Sequence, residues 1–239
     1  HKIIFEKNLF NENLLCGVLR CSFNFCELPS NRVQFLDAGF LRLTSKILSM
    51  HLSNARLVRL TCKALVMMLD MSGLDKSILY EFKDAELCDN LVKALKKFSA
   101  EDKTSDELTR LIVSLGNNNS YNRDKLLAAG APQVVMQLLS HNLENAILAK
   151  RACHVMKFMA SDGTTREVLR QSGVDEKLCE MLKTFQTDAE LVQLCCSVIC
   201  MLASDSITFQ EILCDEGVCD LITNALTLHG ETKATGYEL

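Results

Sequence analysis

One short phrase returns along this 239-residue chain at almost constant intervals. A small residue or glycine is followed by apolar positions that end in leucine nine residues on, most clearly in Gly130-Ala131-Pro132-Gln133-Val134-Val135-Met136-Gln137-Leu138-Leu139. Gly39 leads to Leu48, Gly173 to Leu182 and Gly217 to Leu226 with the same offset. Aligning Asp84-Ala85-Glu86 with Asp37-Ala38-Gly39 supplies a degenerate copy ending at Leu95. The anchors at 39, 86, 130, 173 and 217 are 47, 44, 43 and 44 residues apart. A period of that size marks an array in which each unit is one supersecondary motif.

Each period has room and polar breaks for three helices. Around Gly130, residues 122–129 predict a short helix and 132–140 a second, with Pro132 in the first turn, where its missing N–H removes no hydrogen bond. Asn142 and Asn145 predict a break. Residues 146–160 predict a third helix, whose stripe Ile147, Ala152, Val155, Met156 and Met159 keeps three-to-four spacing. The glycine lets the chain turn sharply between the first two helices. Ten glycines and two prolines are too few for the turns of a many-stranded sandwich, and 48% hydrophobic residues suffice for a sizeable core. A unit of about 43 residues cannot cover its own apolar face, so neighbours stack and share a continuous core.

The phrase around Gly130 resembles the core signature of armadillo repeats, and the resemblance extends from about Asn8 to Leu228. The short helix before the glycine and the Gly-x-Pro step separate it from the HEAT relatives, whose units have two helices. The resemblance implies an all-α fold, a right-handed α-solenoid of armadillo-like three-helix repeats over residues 1–230. A partial unit is expected over 8–26, complete units near 31–70, 77–116, 121–160 and 164–203, a partial unit over 207–228, and a polar tail over 231–239. A segment of a longer protein, or atypical capping repeats, accounts for such edges. Asn117-Asn118-Asn119 and Glu101-Asp102-Lys103 are expected as loops within this frame.

In the armadillo family the third helices line a concave groove. They present a tryptophan and, four residues later, an asparagine that clamps the backbone of an extended partner. The resemblance places the asparagine column at Asn24, Met68, Ser114, Phe158 and Met201, and the preceding column at Arg20, Ala64, Arg110, His154 and Ser197. Only Asn24 keeps the amide and no tryptophan occurs, so the nuclear-import mode of clamping is not expected. Arg20, Arg110, His154 and, one turn earlier, Lys150 instead suggest positive charge in the groove of a chain whose net charge is −4. Such a row suits carboxylates or phosphates on a partner. Met68, Phe158 and Met201 are read either as adaptable apolar pockets between the cations or as packing between repeats.

The function expected from this pattern is that of a non-enzymatic adaptor binding an extended or helical, acidic protein segment, with no cofactor and no metal. No Walker-type loop, GxSxG elbow or HExxH pair occurs, and the five histidines are scattered over different units. A second reading is a regulatory or organelle- or cytoskeleton-tethering module that packs against other parts of a larger protein. A third is a helical enzyme. Self-association through the terminal repeats is compatible with either of the first two. Arg56 with Arg59, and Lys93 with Lys96 and Lys97, are further basic clusters, but no long basic stripe with interleaved aromatics supports nucleic-acid binding.

The twelve cysteines contain no CxxC pair, and Cys62, Cys153, Cys196 and Cys200 are expected on apolar helical faces as small core residues. So many unpaired thiols favour a reducing compartment and a cytoplasmic location, with nuclear or peripheral-membrane association through flanking regions as alternatives. No apolar run reaches the roughly 18 residues of a spanning helix.

Overall fold

The computed structural model describes residues 9–69, 85–142 and 144–230, and every regular element of more than a turn among them is an α-helix. The chain divides into two compact units, residues 1–131 and 132–239. In the first, α1 (Glu12–Cys26) is followed by short α2 (Pro29–Asp37), α3 (Phe40–Met50) and long α4 (Ala55–Leu69), then by α5 (Ala85–Lys97), α6 (Asp102–Asn118) and α7 (Ser120–Ala128). Helix α8 (Ala131–His141) leads into the second, which holds α9 (Ala146–Met159), α10 (Gly163–Arg170), α11 (Val174–Thr184), α12 (Ala189–Ala203), α13 (Ile207–Asp215) and α14 (Val218–Gly230). The order short, medium, long recurs.

Local chemistry starts each kind of helix at one period's interval. The long helices begin behind Asn11, Asn54, Asn145 and Asp188, whose side-chain oxygens accept the N–H of Leu14, Leu57, Leu148 and Leu191. Glu101 stands at the corresponding place before α6 and makes no such cap. Its side chain is one carbon longer and accepts instead from Arg59 and Thr104. Asn119, Asp162 and Ser206 cap the short helices α7, α10 and α13. Gly39 and Gly173 stand before α3 and α11 with φ of +79° and +76°, a left-handed conformation that a Cβ disfavours.

Packing follows the same interval. In the first unit α4 lies between α1 and α6, with α3 against α4 and α5. Leu15, Leu19, Ile47, Leu57, Ala64 and Met68 form one buried cluster there. In the second unit α12 packs against α9 and α11, and α14 against α11. Groups one period apart touch: His51 meets the Leu9 backbone carbonyl, Asn54 donates to Glu12, Lys97 to Ser53, and Arg166 to Asp205, with sequence separations of 42, 42, 44 and 39. Units that could not cover their own apolar faces are covered by the next.

Several expectations are corrected. Ile147 is 61% exposed, whereas Ala152, Val155, Met156 and Met159 are fully buried; the stripe is completed by Leu148 and Ala149, one and two residues further along. Asp102, Lys103, Asn117 and Asn118 are helical rather than loop, because α6 is longer than the third helix expected there. Cys62 and Cys153 are buried, but Cys196 is only half-buried and Cys200 is exposed. The period-ending leucines Leu48, Leu95, Leu139 and Leu182 are buried, while Leu226 is 68% exposed, since no later described helix covers it. Asp84 and the tail over 231–239 lie outside the described residues.

Candidate functional site

Charged side chains of the long helices of the first unit gather around an opening. Arg56, Arg59 and Lys63 recur at three-to-four spacing on α4 and so share one side of it. With Arg20 of α1 and Lys103, Asp106 and Glu107 of α6 they line a hollow of about 350 Å³. Arg56 and Arg59 also border an adjoining hollow of about 600 Å³, reached by Glu12, His51, Asn54 and Glu101. In the smaller hollow five cations face two carboxylates.

Pairing decides which of those cations are available. Arg59 Nη1 donates to Glu101 Oε1 at 2.6 Å and to Thr104 Oγ1 at 3.1 Å. Glu107, almost buried, lies 3.5 Å from Lys63 Nζ and 3.4 Å from Arg110 Nη1. Arg110 is therefore tied to its own helix. Arg20, Arg56 and Lys103 are exposed and have no ion-pair partner among the described residues. Exposed cations with a hydrophobic stem and a free head are the groups that a carboxylate or phosphate can engage without first breaking a pair.

The second unit lacks that surplus. Lys150 Nζ sits 3.0 Å from Asp188 and 2.6 Å from Glu190, and these contacts raise its pKa while holding the Asp188 carboxyl below the ordinary range. His154 is pushed down by burial and then by Arg151 and Lys157, so it is neutral at neutral pH and adds no positive charge. The expected cationic row does not continue here, because one member is neutralised by partners one period away and the other by its surroundings.

The remaining expected residues divide by burial. Met68 is 1% exposed and Phe158 6%, which places both in packing between helices and not on an open face. Asn24 is exposed, Ser114 and Met201 are half-buried, and Ser197 donates to the Gln193 carbonyl of its own helix. The structure brings Arg20 together with Arg56, Arg59, Lys63 and Lys103, of which the sequence columns contained only Arg20. The three-to-four spacing of Arg56, Arg59 and Lys63 was the available signal.

Two buried thiols are poorly placed for nucleophilic chemistry. Burial pushes the Cys62 thiol far up, and a hydrogen bond with Cys195 followed by burial does the same for Cys153. Such thiols are poor nucleophiles. Among the described residues no group of three or more His, Cys, Asp or Glu is placed to hold a metal ion, and no helix is long and apolar enough to cross a membrane.

The family model described as LRRK2 ARM repeat matches residues 34–235. Among solved structures, an engineered protein from the Northeast Structural Genomics Consortium is similar at a TM-score of 0.72 and 20% identity, over 93% of this chain and 90% of that one. A second engineered protein from the same source has a TM-score of 0.72 at 18% identity, over 89% of this chain and 82% of its own. A designed armadillo repeat protein is also matched, with a TM-score of 0.46 and 16% identity over 80% of this chain and 94% of its own. No curated protein matches.

Proposed function

The chain belongs to the LRRK2 armadillo-repeat family, and on that footing we propose that it is a protein-binding scaffold whose first unit takes an acidic partner segment between α1, α4 and α6. Armadillo repeats generally serve as binding scaffolds and not as enzymes. We further propose four three-helix units near 31–70, 77–116, 121–160 and 164–203, of which residues 70 and 77–84 lie outside the described residues, with partial units over 8–26 and 207–228.

The observation that carries the reading is the convergence of Arg20, Arg56 and Lys103, from three long helices, on one hollow without an ion-pair partner among the described residues. Three cations on rigid helices, with no ion-pair partner among the described residues, offer an anionic segment charge that it can engage without first breaking a pair. Asn24 lies one turn beyond Arg20 on the same helix and supplies an amide at the edge of that face. Arg110 and Ser114 follow along α6, and Lys150, His154, Ser197 and Met201 are proposed as a separate set of contacts on the second unit taken by itself. Met68 supports the face from beneath, and Phe158 packs among the helices of the second unit.

Fluorescence anisotropy with a labelled Glu-rich peptide tests this. The affinity should fall severalfold between about 50 and 200 mM salt, as screening of exposed charges requires. Arg20→Glu and Arg56→Glu should each weaken binding by about tenfold, and a Lys-rich peptide should not bind. Equal affinity for the two peptides, or indifference to both charge reversals, would contradict the assignment.

A further inference from the structure

Two sulfur–sulfur contacts in the second unit have opposite surroundings. Cys153 and Cys195, on α9 and α12, lie 3.8 Å apart and are both buried. Cys214 and Cys219 lie 3.6 Å apart and are both exposed. The second pair straddles the turn between α13 and α14. Gly217, with φ of +82°, reverses the chain there, and its N–H donates to the Cys214 carbonyl at 3.0 Å. Leu213 and Val218, next to the two cysteines, are buried and hold the helix ends in place.

We propose that Cys214 and Cys219 form a redox-active dithiol that closes to an intramolecular disulfide by exchange with a low-molecular-weight disulfide such as oxidised glutathione. In the first step the thiolate of one cysteine attacks a glutathione sulfur, forming a mixed disulfide and releasing one glutathione as thiolate. The second cysteine, deprotonated, then attacks the protein-side sulfur of that mixed disulfide and expels the other glutathione. The two protein thiols lose two electrons and two protons; the oxidised glutathione gains both and leaves as two thiols.

Closure needs the sulfurs to move from 3.6 Å to a bonding distance of about 2.05 Å. Both side chains are exposed, so rotation about their Cα–Cβ bonds meets no core neighbour. The second thiol sits beside the mixed disulfide on a fixed turn, which makes its attack intramolecular and fast relative to a further encounter with glutathione. The hydrogen bond with Cys219, with a smaller contribution from the Asp215 charge, holds the Cys214 thiol above its usual pKa. Less of it is therefore thiolate at neutral pH, and exchange through Cys214 quickens as pH rises. A reducing compartment is compatible with such a pair, since disulfides formed there are transient and responsive to redox state.

The test is peptide mapping by mass spectrometry under non-reducing conditions, on the full folded chain treated with oxidised glutathione. The Cys214–Cys219 linked peptide should exceed either glutathione adduct by about tenfold, and Cys153 and Cys195 should remain reduced. Cys214→Ser should leave Cys219 as a persistent adduct, and Cys219→Ser should leave Cys214 as one. Persistent adducts on either cysteine of the unsubstituted chain, or modification of exposed Cys21 and Cys200 with none at 214 and 219, would overturn the proposal. The map of the unsubstituted chain decides the matter even where a serine variant does not fold.

Discussion

Gly39, Gly130, Gly173 and Gly217 hold φ between +76° and +87°, and at Gly39, Gly173 and Gly217 an added Cβ would meet nothing within 4 Å. Glycine is needed at these places for its backbone and not for space. Gly173→Ala should therefore lower stability by about 1 kcal/mol. Gly17 is the contrasting case. It lies inside α1, its side is open, and Gly17→Ala should raise stability by about 0.5–1 kcal/mol. Urea unfolding of the two variants checks the opposite signs. The degenerate copy obeys the same rule, for α5 already begins at Ala85, so Glu86 occupies a helical position where no left-handed residue is required.

At the scale of the element, Asp188 shows how a helix start and a contact between periods share one carboxylate. It caps α12 through the Leu191 N–H at 3.1 Å and pairs with Lys150 of α9 at 3.0 Å. Lys150 first, then the backbone N–H, holds its pKa below the ordinary range. Asp205 is lowered by Arg166 and Arg170, and Asp162 by Thr164 and the Thr165 N–H. For carboxyls depressed in the folded state, the stabilisation is fully present above the unfolded pKa of about 3.9 and is lost as pH falls through it toward the folded values. The urea midpoint should accordingly decline below about pH 4. Asp188→Ala should cost about 1 kcal/mol at neutral pH. Asp188→Asn keeps an oxygen acceptor, should cost less, and should flatten the acid decline.

For the molecule as a whole, the sequence carried the fold but only part of the site. The period was legible because the phrase from glycine to leucine repeats with it, and the structure adds Asn or Asp caps that keep the same interval. Leu226 keeps the phrase but not the burial, since burial depends on a following helix and not on the residue itself. The binding face was harder to read. Whether a cation is available depends on what stands one period away, as Lys150 finds Asp188 and Glu190 while Arg20 and Arg56 find no acid among the described residues. Whether Met68 is a pocket or packing depends on a rotation of about 100° per residue that column counting does not resolve.

Titrating the isotope-labelled full chain with a Glu-rich peptide and following its amide signals by NMR tests the central claim most directly. Saturable shifts should be largest at Arg20, Arg56, Arg59, Lys63 and Lys103, on α1, α4 and α6. Shifts confined to the second unit around His154 and Ser197, or no saturable shift anywhere, would contradict it.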